Sequence, residues 1–146
     1  MTKQEKALEY FRNGHNCTQS VLLSFAEDLS IEKKLAVSIA SGFGAGMGRL
    51  QRTCGALTGS FMVIGLYNSE SIWDEKVRKE TTNRQIQALD NDFTEFFGYS
   101  DCNHLTNTDL KTESGQQKFE NEHINTRVCE RCISACVSWL KKNLEN

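Results

Sequence analysis

Not one of the 146 residues is proline. Proline breaks helices from within, because it lacks an N–H donor and its ring clashes with the preceding turn. A chain without it tolerates long helices and has few rigid turns. The apolar residues recur at intervals of three and four, the period of helices buried along one face, and alternating patterns are scarce. The sequence therefore predicts an all-α fold: a single-domain bundle of about five or six helices over residues 1–146, with no sheet of three or more strands.

Local signals place the helices. Thr2 to Asn13 reads as the first, with Ala7, Leu8 and Phe11 inward and Gly14 as its terminator. Asn16, with Gln19 three residues on, forms a variant capping box for a second helix carrying Val21, Leu22, Phe25 and Leu29. Ser30 is the expected cap of a third, with Ile31, Leu35, Ala36, Ile39 and Ala40. After the glycine-rich stretch Gly42 to Gly48, Thr53 is expected to cap a central, buried helix from Cys54 to about Tyr67. Trp73 to Phe97 reads as a longer, charged helix, apolar at Ile86, Leu89, Phe93 and Phe96 and stopped by Gly98. Tyr99 to Gly115 reads as a loop, and Gln116 to Leu144 as one last helix.

Lys and Arg number 17 and Asp and Glu 19, interspersed along the chain, which leaves no basic surface for nucleic acid. The first twelve residues are charged and mixed, unlike a signal peptide. The most apolar run, Ala56 to Leu66, is too short to span a bilayer. The expectation is a cytoplasmic protein without membrane insertion. Six cysteines, at 17, 54, 102, 129, 132 and 136, then lean toward metal binding, catalysis or redox chemistry, because stable disulfides are uncommon in a reducing compartment.

The glycine-rich stretch lacks the lysine and hydroxyl residue of a phosphate loop, and its glycines do not follow a strand. Its expected use is a close, irregular passage of backbone. Beside it, Cys54 is read as the first residue of a helix, and Cys17 follows the cap Asn16. A thiolate at a helix start is favoured by the dipole and the free amides. Gly55 and Gly59, four apart, suit close helix packing. Arg49 and Arg52 precede Cys54, either to help hold a thiolate or an anion or, as is more common for arginines, as exposed and solvated side chains. Cys129, Cys132 and Cys136 share one helical face, a run suited to a metal or an iron–sulfur cluster or to core packing. Ile133 after Cys132 rules out a haem attachment motif. His15 and His104 each lie two residues from a cysteine, as ligands, proton carriers or surface histidines.

Asn16-Cys17-Thr18-Gln19-Ser20-Val21-Leu22, Gly42-Phe43-Gly44 leading into Cys54-Gly55-Ala56-Leu57-Thr58-Gly59, then Cys102 and Cys129, resemble the C_GCAxxG_C_C family over nearly the whole chain. The resemblance implies a redox role for four shared cysteines, which correspond to Cys17, Cys54, Cys102 and Cys129. It also implies an association with a membrane transporter, since such proteins are often encoded near transporter genes. Cys132 and Cys136 fall outside the shared four.

The leading expectation is a thiol-based redox protein with an unknown redox partner. Cys54 is the reactive thiolate, Cys17 a candidate resolving thiol, and Cys102 and Cys129 complete one shared site. The alternative uses the same four cysteines to bind zinc or an iron–sulfur cluster without turnover. A third reading is a helical interaction module with incidental cysteines. Cys132 and Cys136 are expected to pack as small apolar residues and to be dispensable.

Overall fold

The computed structural model describes residues 1–145. Its elements are α1 (Lys3–Arg12), α2 (Cys17–Ala26), α3 (Lys33–Ala40), a one-turn α4 (Gly44–Met47), α5 (Gly55–Ser71), α6 (Glu75–Phe97), α7 (Cys102–Thr106), α8 (Glu113–Asn121), a π-helical turn (Asn125–Cys129) and α9 (Glu130–Leu144). The class is all-α, as expected. The helices are more numerous: among the described residues, eight of regular geometry replace the expected five or six, with α4 left out because its Ala45 and Gly46 are left-handed.

Where capping signals are local, the helices start and stop as expected. Thr2 and Glu5 form a capping box on α1, and Asn16 and Gln19 form one on α2, with Gln19 N–H to Asn16 Oδ1 at 2.8 Å and Asn16 N–H to Gln19 Oε1 at 2.9 Å. Asp74 caps α6, so this helix begins two residues after Trp73, and left-handed Gly98 closes it through an N–H to the Thr94 carbonyl. Ser30 is not the cap of α3. It adopts φ 53°, and the helix starts later, behind Glu32, without a side-chain cap.

Two larger corrections concern the C-terminal half. The expected loop from Tyr99 to Gly115 contains α7 and the start of α8. The expected last helix is broken: α8 ends at Asn121, His123 turns left-handed, and the chain re-enters helix through the π turn.

The core forms where α2 crosses α5. Every residue from Thr18 to Ala26 is buried, because α1, α3, α5 and α9 all pack on α2. That surrounding explains why this helix is apolar on nearly all sides. Ala56, Leu57, Val63 and Ile64 of α5 meet it, and Ile133, Cys136, Val137 and Leu140 of α9 close the layer. Asn68 of α5, buried, donates to Thr82 and Gln85 of α6. Among the described residues no helix is long and apolar enough to cross a membrane.

Candidate functional site

The crossing of α2 and α5 is close because glycines leave room for it. A Cβ on Gly55 would lie 2.9 Å from the Cys17 Cβ and 2.9 Å from Thr18 Oγ1; one on Gly59 would lie 2.7 Å from the Thr18 carbonyl oxygen. Thr18 fastens the crossing by donating to the carbonyls of Phe43 and Gly55, both at 3.0 Å. Cys17, first residue of α2, is thereby held against the start of α5.

Cys54 sits one position earlier than expected. It is itself the N-cap of α5, with non-helical backbone at φ −51° and ψ 134°, and the helix begins at Gly55. Thr53 cannot cap, because it forms an isolated bridge with Asp101. Cys54 N–H donates to the Ser100 carbonyl at 2.8 Å, and Cys102 N–H donates to the Arg52 carbonyl at 2.7 Å. This short pairing carries Cys102 to Cys54 across nearly fifty residues of sequence. Cys102 opens α7, capped by Asp101, which accepts from the His104 N–H at 2.9 Å and meets the His104 ring at 2.7 Å.

Gln51 locks the arrangement and was not singled out by its sequence context. It is 3% exposed and left-handed at φ 58°. Its amide donates to the Thr108 carbonyl at 2.7 Å and lies 3.8 Å from the Cys102 sulfur, while its oxygen accepts from Leu110 N–H at 2.8 Å. The preceding loop makes this placement possible through a run of left-handed residues that includes Ala45, Gly46, Met47, Gly48 and Arg49. A side chain on Gly46 would collide with the backbone of Gln51 and Arg52 at about 2.5 Å. The loop is the close backbone passage expected from its glycines.

The π turn delivers the last cysteines. It ends on Cys129 and runs without interruption into α9. Such turns widen a helix locally and are frequent at functional sites. Cys129 and Cys132, three apart, both face one cavity of about 510 Å³ that Cys17, Cys54 and Cys102 also line. The four cysteines expected to share a site thus surround one space, and a fifth, Cys132, joins them. Phe11, Leu105, Leu110, Phe119 and Val128 make much of its wall apolar; His15, Arg49 and Glu120 also line it. Arg52 and His104 do not line it. Arg52 contributes its backbone, and the His104 ring stacks on Tyr99. Cys132 and Cys136 are both buried in the core, as expected; Cys132 also lines the cavity, and Cys136 does not.

The thiols fall into partnerships. The Cys54 thiol is influenced most by its neighbour Cys132, and the Cys17 thiol by its neighbour Cys129. The neighbouring Cys132 thiol lowers the Cys54 pKa; burial opposes this, and the amides of Ala56 and Leu57 at the helix start add to the lowering, without a regular capping bond. Cys132 is pushed up, first by the neighbouring Cys54 and then by burial. Cys17 is likewise pushed up, first by Cys129 and then by burial. Burial raises Cys102 to about 12 against the opposing Gln51 amide, and it raises Cys136 against the Ser60 hydroxyl. Cys54 is the thiol these surroundings favour as an anion. All six cysteines are free thiols. Among the described residues no three Cys, His, Asp or Glu side chains are grouped so as to hold one metal ion.

The family model described as "Putative redox-active protein (C_GCAxxG_C_C)" matches residues 15–143. The chain belongs to this family. An uncharacterized protein of Archaeoglobus fulgidus is 25% identical to this C_GCAxxG_C_C protein over 139 residues, covering 90% of this chain and 91% of that one. No solved structure matches it. The family label writes Gly-Cys-Ala, whereas this chain has Cys54-Gly55-Ala56. In this backbone the order matters, since a side chain at position 55 would collide with Cys17.

Proposed function

We propose that the protein is a thiol–disulfide redox protein in which Cys54 is the nucleophilic thiolate. The observation that carries this reading is the setting of Cys54. Its sulfur lies at a helix start, it alone of the cysteines with a resolved shift is lowered, and it shares a half-open cavity with four other thiols. A thiolate is the form that attacks disulfides, and a second thiol nearby is what releases the mixed disulfide so formed. Gathered thiols oxidise readily, so the cluster is better explained by use than by packing. Membership of a family described as redox-active supports the same reading.

The test is site-resolved alkylation of the reduced protein by iodoacetamide over about pH 6 to 9, with metal analysis of the same anaerobic preparation. Cys54 is expected to label first, with a midpoint below the ordinary thiol value of about 8.5. Stoichiometric zinc, or iron with acid-labile sulfide, together with protection of Cys17, Cys54, Cys102 and Cys129, would replace this reading by the metal-binding one.

A further inference from the structure

We infer that Cys132 is the resolving thiol of Cys54, and that this inner pair reduces small organic disulfides admitted to the cavity. The inference rests on the reading of Cys54 as the attacking thiolate and assigns its partner and substrate class. Cys17, the partner expected from sequence, is engaged by Cys129, and Cys102 is engaged by the Gln51 amide. Cys132 is the neighbouring thiol that acts most on Cys54, and both line the cavity. It lies on α9, which packs directly on α5. The substrate class follows from position. Cys54 is 7% exposed and Cys132 1%, so a disulfide held in a protein surface cannot reach them. A cavity of about 510 Å³ with a largely apolar wall admits a small molecule.

The chemistry balances within one turnover. The Cys54 thiolate attacks one sulfur of R–S–S–R, forming Cys54–S–S–R and expelling RS⁻. Cys132, no longer beside an anion, then gives its proton to RS⁻. The Cys132 sulfur attacks the Cys54 sulfur, the mixed disulfide breaks, and the second RS⁻ leaves and is protonated by solvent; the Cys54 thiolate had already given its proton to solvent. Two protein thiols become one disulfide, and one small disulfide becomes two thiols.

The experiment exposes reduced protein to bis(2-hydroxyethyl) disulfide, quenches with acid, and maps the products by mass. The wild type is expected to form a Cys54–Cys132 bond with no lasting adduct. Cys132→Ser is expected to accumulate a mixed disulfide on Cys54, resolving at least about tenfold more slowly. Insulin, a disulfide too large for the cavity, should react at least about tenfold more slowly than the small probe. A wild-type bond from Cys54 to Cys17 or Cys102, or wild-type resolution in Cys132→Ser, overturns the pairing and leaves the Cys54 reading intact. Equal rates with insulin overturn the substrate class. A Cys54→Ser variant that reacts like the wild type overturns the underlying reading as well. If Cys132→Ser fails to fold, the bond mapped in the wild type decides.

Discussion

Replacing Gln51 by alanine should loosen the segment that carries Cys102 and destabilise the whole chain. The side chain makes two short bonds to buried backbone: its amide to the Thr108 carbonyl and its oxygen to the Leu110 N–H. The Thr108 carbonyl keeps weaker donors, Asn103 at 3.4 Å and Thr106 at 3.5 Å, so its loss is that of one ordinary hydrogen bond, about 1 kcal/mol. The Leu110 amide has no second acceptor among the described bonds, and a buried orphaned donor costs about 1–3 kcal/mol. Alanine at position 51 keeps the left-handed backbone at a strain similar to that of glutamine, so the two effects add to about 2–4 kcal/mol. For a chain of this size that lowers the Tm by roughly 5 to 15 °C. Thermal and urea denaturation under reducing conditions measure it, and Cys102 should alkylate faster in the folded variant. A loss under about 0.5 kcal/mol would refute the claim that Gln51 holds this segment.

Other consequences follow from the same geometry. Gly59→Ala gains about 1 kcal/mol of helix propensity but drives a Cβ to 2.7 Å from the Thr18 carbonyl, an overpacking of about 1–3 kcal/mol; a net gain in urea stability would contradict the tight crossing of α2 and α5. Cys102 and Cys136 have raised pKa values in the folded state, so they ionise first on unfolding. Each withdraws stability as pH rises above about 8.5, at up to about 1.4 kcal/mol per unit, and for Cys102 this continues until about 12. Cys102→Ser should flatten the alkaline fall in denaturation midpoint, and an unchanged slope would count against the buried neutral thiol. Cys136→Ala should leave the rate of disulfide exchange unchanged while lowering stability modestly, because Cys136 lies behind the cavity.

What the sequence made legible is what depends on neighbours in the chain. Asn16 with Gln19 and Gly98 act within a turn of themselves, and both signals read correctly. The close packing foreseen for Gly55 and Gly59 also follows from spacing alone. The misplaced start of α5 had a distant cause: Asp101 takes Thr53 into a bridge, a partner that no local pattern announces. α7 is too short to show a period, and the π turn has no composition of its own. The regular spacing of the C-terminal run did not show that Cys129 and Cys132 line the cavity while Cys136 does not. Which of them meets Cys54 depends on how α9 crosses α5, and that is set by the whole core. Gln51 looked like one more polar loop residue because its burial comes from the returning segment around Thr108 and Leu110.

The central claim is that the clustered thiols cycle. Its most direct measurement is the number of free thiols in native protein before oxidation, after exposure to a small organic disulfide, and after re-reduction. The account predicts that the count starts at six, falls in pairs without loss of helix content, and returns to six. It also predicts that Cys54→Ser abolishes the first fall. A native count that stays at six while a simple dithiol in the same tube is oxidised would contradict it.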